Sequence, residues 1–216
     1  KIDGLSEASN KNSSETFEKD QFKATNYFLR LGYNFNKKLN TQVFGNFDKD
    51  VYDYDAGAFS DSDINNGENK QQRFGITTNF NYTKGSLVLT ASYNKIERII
   101  NSFNSWTNTT DIFEYTGKTY VVDVVNNYKV SNEFQLISGV NYQKQSNLTN
   151  SPYGNIDEDI ANYETVDPYL TAIYNSGFGL NLNAGARLNN HSEYGNHLVY
   201  NINPSFNFTS NWGSWA

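Results

Sequence analysis

Gly179-Leu-Asn-Leu-Asn-Ala-Gly-Ala-Arg-Leu-Asn-Asn190, then His191-Ser-Glu-Tyr-Gly-Asn-His197, then Leu198-Val-Tyr-Asn-Ile-Asn-Pro-Ser-Phe-Asn-Phe-Thr209, is the stretch whose reading decides the fold. Leu180, Leu182, Ala184, Ala186 and Leu188 share one parity, and Asn181, Asn183, Arg187 and Asn189 share the other. The second arm repeats the pattern, with Tyr200, Ile202, Phe206 and Phe208 set against Asn201, Asn203, Ser205 and Asn207. A period of two places each set on its own face of a β-strand. The stretch is therefore a hairpin with one oily and one wet face, closed by a short polar loop.

The same pattern recurs along the chain. Strands are predicted at about Phe22–Phe35, Leu39–Tyr52, Gln71–Thr83, Ser86–Ile99, Gly117–Val130, Glu133–Gln145, Glu164–Asn175, Gly179–Asn190 and Leu198–Thr209, with strand fragments at Lys1–Leu5 and Trp212–Ala216. No segment reads as a helix. Short turns at Asn36-Lys37-Lys38, Lys84-Gly85, Ser131-Asn132, Asn175–Phe178 and Ser210-Asn211 alternate with long polar loops at Asp53–Lys70, Ser102–Thr116 and Ser146–Tyr163, then the shorter His191–His197. Short turns on one side and long loops on the other mark an up-and-down transmembrane β-barrel.

Composition narrows the choice. The 216 residues include 16 Tyr and 15 Phe, three Pro and no Cys, so disulfides and thiolate metal sites are excluded. The net charge of -6 opposes a nucleic-acid partner, which would require a basic stripe. No apolar run approaches the roughly 18 residues of a membrane helix. Low mean hydropathy is no objection to a membrane barrel, whose apolar residues occupy only every second position.

Two further patterns favour a barrel. On the apolar parity, aromatic pairs recur eight residues apart: Tyr27 with Phe35, Phe74 with Tyr82, Tyr120 with Tyr128, Phe134 with Tyr142, and Tyr200 with Phe208. Eight residues rise roughly 26 Å along a strand, or roughly 20 Å along the normal at a tilt of about 40°, close to the apolar band of a membrane barrel. Leu29, Leu31, Ile76, Val122, Val124 and Val140 lie between the pairs as an aliphatic belt. The mid-strand charges Arg30, Arg73, Asp123 and Arg187 all take the other parity, avoiding the roughly 2–4 kcal/mol that an arginine costs on the lipid face. A soluble β-sandwich also alternates, but explains neither the girdle spacing nor the regular connections.

Gly185-Ala-Arg187-Leu-Asn189 followed by His191-Ser192-Glu193-Tyr194-Gly195 resembles TonB-dependent outer-membrane receptors. The likeness is greatest to the vitamin B12 and siderophore receptor branch of Bacteroidetes-type bacteria. Weaker echoes are Phe28-Leu-Arg30-Leu-Gly32 and Gln72-Arg73-Phe-Gly75. The resemblance implies a bacterial outer-membrane location and a 22-stranded barrel, to which residues 1–216 contribute nine to ten strands. It implies a plug domain inside the barrel and an N-terminal region that engages the TonB–ExbB–ExbD energy complex, both outside this stretch. Other implied partners are outer-membrane lipid and a surface lipoprotein. The implied function is uptake of a scarce ligand such as a corrinoid or a ferric siderophore. The alternatives are a passive porin or structural outer-membrane barrel, and a soluble secreted β-sandwich that binds carbohydrate.

Candidate sites follow from the loops, which carry function more often than scaffold does. Trp106, Phe113, Tyr115, Tyr153 and Tyr163 are candidates for a ligand-contacting mouth, although interfacial aromatics also anchor barrels in lipid headgroups. Asp53, Asp55, Asp61 and Asp63 alternate oxygen ligands and are candidates for calcium, with a solvated loop as the plainer reading; Asp157-Glu158-Asp159 is a second acidic stretch. Calcium is the sole cofactor the sequence brings forward. His191 and His197 flank Glu193 and invite a metal reading. No third ligand is near, and a hairpin loop in which Gly195 takes a positive φ and Asn190 or Asn196 makes the turn bonds is preferred. In that reading Arg187, His191, Ser192, Glu193, Tyr194 and Gly195 are scaffold. No nucleophile–base pair or phosphate-binding glycine loop is present, so no enzyme is expected.

Overall fold

The computed structural model describes residues 2–3, 20–57 and 61–207. Their strands are β1 (Ile2–Asp3), β2 (Gln21–Asn34), β3 (Leu39–Asp53), β4 (Asn66–Tyr82), β5 (Gly85–Asn104), β6 (Thr109–Lys129), β7 (Phe134–Ser151), β8 (Gly154–Ile156), β9 (Asn162–Asn175), β10 (Leu180–His191) and β11 (Gly195–Phe206). They form one antiparallel sheet in chain order, with the short β8 paired only to β7. The all-β, up-and-down reading is borne out. The expected fragment at Trp212–Ala216 and the aromatic Phe208 fall outside the described residues.

Register makes the two faces explicit, because directly opposed residues point to the same side of a sheet. One row runs Leu31, Val43, Ile76, Ala91, Val122, Tyr142 and Val166. A second runs Leu89, Val124, Val140 and Pro168. On the opposite face Arg73 stands across from Asn46, and Asp123 from Asn141, which in turn faces Asp167. All four mid-strand charges lie on this second face. One residue of slippage anywhere would exchange the two faces, so the register is fixed across the whole wall by the pattern alone.

No hydrophobic side chain among the described residues is buried, and the oily face is open: Leu29 is 60% exposed and Ile202 66%. A water-soluble sheet cannot leave a face of this size bare. Between β2 and β11 each long strand is laddered on both sides, the condition for crossing a bilayer with strands. The expected aromatic girdle appears as cross-strand pairs, Tyr27 against Phe47 with ring centroids 6.4 Å apart and Tyr93 against Tyr120 at 4.8 Å.

The inner face carries a feature the sequence did not announce. Three aromatics lie across directly opposed glycines: Phe44 over Gly75, Tyr52 over Gly67 and Tyr169 over Gly139. A Cβ on any of those glycines would collide with the ring across from it. The rings fold flat onto the wall, where they shield the glycine backbone.

Two of the expected loops are largely strand. β5 and β6 run 20 and 21 residues and are joined by a turn from Asn104 to Thr109, in place of a long loop over Ser102–Thr116. Strands of about 20 residues rise roughly 65 Å, or roughly 50 Å along the normal at 40°, about twice the height of the apolar band. The outer half of this hairpin thus stands in water, where both faces are polar and alternation fades. Similarly β7 runs on to Ser151 and pairs with β8, filling the first part of the expected loop Ser146–Tyr163.

Candidate functional site

The inner wall is built around Asp167, which is only 5% exposed. It precedes Pro168, and proline brings no N–H to the ladder. The β9–β10 ladder accordingly lapses between Arg187 opposite Tyr169 and Asn190 opposite Val166, with the register the same on either side. Asp167 fills the gap with its side chain. Its Oδ1 accepts the Asn190 backbone N–H at 3.1 Å and its Oδ2 accepts from the Arg187 guanidinium at 2.5 Å. The Asn190 amide donates to the Val166 carbonyl. Asn141 donates to Asp123 at 3.3 Å, and the Tyr169 hydroxyl also bonds Asp123. An open cavity of about 650 Å³ lies against this cluster, lined by Thr90, Asp123, Asn141, Tyr169, Thr171 and Arg187. Beside it the side-chain oxygen of Asn189 is buried with no bonding partner among the described residues. The sequence singled out Arg187 and Asp123 but not Asp167 or Tyr169. The available signal was an acid on the inner parity immediately before an in-strand proline.

At the rim the candidate aromatics separate into four places. Trp106 is at the tip of the β5–β6 turn, 96% exposed, with its backbone N–H bonded to the Asn104 side chain. Phe113 on β6 packs on Tyr153 with centroids 6.0 Å apart. Tyr163 on β9 stacks on His191 at 4.8 Å, and His191 lies 4.7 Å from Tyr194. Tyr115 is directly opposite Arg98 on β5, and the Arg98 guanidinium donates to the Tyr52 hydroxyl at 3.2 Å. Tyr52 in turn lies beside Tyr54, whose hydroxyl donates to the Asn101 carbonyl at 3.0 Å. Phe113, Tyr115, Tyr163 and Arg98 all take the inner parity, so this wet extension of the wall presents aromatics and a guanidinium on the lumen side. Arg98 and Tyr52 were missed because they stand at the loop-side ends of expected strands, and Tyr54 because it falls in the expected loop Asp53–Lys70.

The His191–Gly195 hairpin is held by itself and by β9. Gly195 has the expected positive φ, 75°. The turn bonds come from His191 and Ser192, not from Asn190 or Asn196. His191 Nδ1 accepts the backbone N–H groups of Glu193 at 3.1 Å and Tyr194 at 3.4 Å. Ser192 exchanges two bonds with Glu164, its N–H donating to the carbonyl and its hydroxyl accepting the Glu164 N–H. With Nδ1 an acceptor, the neutral ring carries its proton on Nε2 and offers no free lone pair to a metal. His197 pairs with Asn189 further down β10. Among the described residues no three His, Asp or Glu side chains gather where a metal could sit.

The acidic loop brings together two of its four expected ligands. Asp55 is bonded to Asp61, and its pKa is raised, first by burial and then by the charges of Asp20 and Asp61. Asp53 closes β3, and Asp63 lies in the connection to β4.

Comparison with solved structures supports the architecture. The chain is similar to the ferric enterobactin receptor PfeA of Pseudomonas aeruginosa, in a G324V mutant, with a TM-score of 0.72 at 12% identity, over 95% of this chain and 34% of that one. It is similar to the copper transporter OprC, with a TM-score of 0.63 at 12% identity, over 86% and 33%. It is similar to the siderophore receptor PirA of Pseudomonas aeruginosa, with a TM-score of 0.52 at 13% identity, over 87% and 39%. The chain thus spans about a third of the length of these structures. No family model and no curated protein matches the sequence.

Proposed function

We propose that the chain is part of the barrel wall of a TonB-dependent outer-membrane receptor that takes up a scarce ligand. The observation that carries the reading is the rim above the oily face, where Arg98 joins Tyr52 and Tyr115 on the lumen side. A guanidinium set among aromatic rings suits a large, flat, anionic or metal-bearing ligand, which it meets by stacking and charge-assisted bonds. A ferric siderophore fits this chemistry best, a corrinoid next. The names of the similar receptors, two for siderophores and one for copper, point the same way. The inner-wall cluster of Asp123, Asp167, Tyr169 and Arg187 faces the lumen, where it would hydrogen-bond a plug. The wall itself performs no chemistry in this reading. It supplies a closed path, and energy from the TonB–ExbB–ExbD complex would act on the plug.

Ligand titration of the full-length receptor tests the proposal. Trp106 is placed to report binding, and Trp106→Phe identifies its share of the emission change. A ferric catecholate should quench saturably, with cyanocobalamin and cupric ion as comparison ligands, and Arg98→Ala should weaken the response about tenfold or more. Uptake that survives dissipation of the proton-motive force would select the passive porin instead. Calcium at Asp55 and Asp61 belongs to the same reading. Micromolar calcium should then raise the melting temperature of the wild type but not of Asp61→Asn, and equal behaviour of the two would remove the ion.

A further inference from the structure

The outer face carries a second pattern, made of lysines. Lys49 lies ten residues beyond Leu39, Lys95 ten beyond Gly85 and Lys144 ten beyond Phe134, each counted from the start of its strand. Lys23 lies eleven residues before the end of β2 at Asn34, Lys70 twelve before Tyr82 and Lys118 eleven before Lys129. Six consecutive main-wall strands, β2 to β7, therefore each raise one lysine to nearly the same height above the short-turn side. All six take the lipid-facing parity. In β3, β5, β6 and β7 the lysine stands one outward position above a girdle aromatic: Phe47, Tyr93, Tyr120 and Tyr142. The row stops at β9, where the corresponding residue is Glu164.

Two of its pairs are like charges in direct opposition, Lys49 with Lys70 and Lys95 with Lys118. Opposed like charges destabilise a sheet unless an anion lies between or beside them. Glu68 serves the first pair, bonding both lysines. Among the described residues no single carboxylate bridges the second. Lys95 pairs with Glu97 at 2.7 Å and Lys118 with Glu158 at 2.6 Å. Glu97 is one outward position nearer the loops, and Glu158 is in the connection before β9. Both carboxylates thus approach from the aqueous side, and each ammonium has three donors to share.

Below the Lys95–Lys118 pair, beyond the Tyr93–Tyr120 pair, the oily face is hollowed. An open groove of about 670 Å³ is lined by Leu31, Val43, Ile76, Ala91 and Val122, and capped by the Tyr93–Tyr120 pair. Gly45, which has no side chain, and the small Ala91 leave room for it. The groove thus ends at an aromatic pair, with the two opposed ammonium groups one outward position above it.

We propose that this outer face binds a phosphorylated lipid of the outer leaflet, with its phosphate on Lys95 and Lys118 and an acyl chain in the groove beneath. The inference rests on the membrane-barrel reading above but not on the transported ligand. The lysine row fixes the depth of the barrel in the leaflet, and its end at β9 makes β2–β7 the side of the wall that prefers anionic lipid.

Native mass spectrometry of the detergent-purified full-length receptor tests it, with diphosphoryl lipid A as the probe and phosphatidylcholine and inorganic phosphate as comparisons. Wild type should retain lipid A, should not retain phosphatidylcholine, and should not be displaced by inorganic phosphate. Lys95→Gln/Lys118→Gln should reduce retention about thirtyfold, the product of two lysines at an anionic lipid surface. Lys84→Gln in the short-turn side should change nothing. Ala91→Phe, which fills the groove and keeps both lysines, should also lower retention, and it covers the case in which the double variant fails to fold. Equal retention by wild type and Ala91→Phe, or retention of phosphatidylcholine as strong as that of lipid A, would overturn the lipid site. A receptor that partitions into buffer without detergent would instead overturn the barrel reading.

Discussion

Val140 and Asn141 are neighbours in β7, yet they stand in different surroundings. Val140 shares a row with Val124 and Pro168, while Asn141 shares one with Asp123 and Asp167. Along the first row nothing but side-chain oiliness is selected, and the residues remain open to the outside: Val140 is 44% exposed. Along the second, polar groups find one another, and the most buried member is an aspartate. The wall is thus the inverse of a soluble sheet, with its hydrogen-bonding network inside and its apolar surface outside. Its stability depends on a solvent that differs between the two faces.

The contrast can be broken most strongly at mid-wall. Val140→Arg should cost about 2–4 kcal/mol in lipid, whereas Asn141→Arg on the next residue should stay within about 0.5 kcal/mol. Urea titration of the refolded full-length barrel in bilayers separates the two. Leu182→Asp and Asn183→Asp repeat the comparison on β10 with an acid, and the first should impair assembly while the second is tolerated. On the inner face, Arg187→Ala strands the buried Asp167 carboxylate and should cost about 2 kcal/mol, discounted because the guanidinium is half exposed. Asp167→Asn combined with it should recover part of the loss in a double-mutant cycle.

Smaller effects distinguish the packed part of the inner face from its open part. Gly139→Ala would drive a methyl into the Tyr169 ring and to within 2.6 Å of the Val124 carbonyl, and should cost about 1–2 kcal/mol. Gly117→Ala meets nothing within 4 Å and should be close to neutral. The smallest effect is that of pH on the first rim loop. The raised pKa of Asp55 means that its protonated form favours the folded loop. That contribution is present at acid pH, below the unfolded value, and is lost as pH climbs through the raised value. Amide exchange over residues 54–57 and 61–65, corrected for its intrinsic pH dependence, should therefore be slower at pH 4 than at pH 7, and Asp55→Asn should abolish the difference.

The membrane-crossing part of this fold was legible because lipid enforces a strict rule, with every second residue apolar and every charge on the other parity. Tyr27, Phe74 and Tyr120 even marked the upper boundary of the oily band. Above that boundary the rule lapses. β5 runs on past the expected strand end at Ile99 to Asn104, and β6 begins at Thr109, inside the expected loop Ser102–Thr116; there both faces meet water, so the pattern that identifies a strand is absent and the outer hairpin read as a loop. The site suffered for the same reason. Arg98 gains its meaning from Tyr52 on a strand two places away, a relation fixed by register and not by spacing along the chain. Asp167 likewise depends on a break in the ladder opposite Pro168. The His191–Gly195 hairpin read correctly as a turn with a positive φ at Gly195, but the bonds that close it belong to His191 and Ser192, whose side chains can replace backbone acceptors as well as asparagine can.

Spin-label accessibility along β7 tests most directly whether the two faces meet different solvents. Single nitroxide side chains at each position from Leu136 to Tyr142, in the full-length receptor reconstituted in bilayers, would be scored for collision with oxygen, which concentrates in lipid, against a water-soluble nickel chelate. The oxygen-to-nickel ratio should alternate with a period of two and peak at residues 136, 138, 140 and 142. A ratio without alternation, or one that peaks at 137, 139 and 141, would contradict the assignment of Val140 to lipid and Asn141 to the lumen.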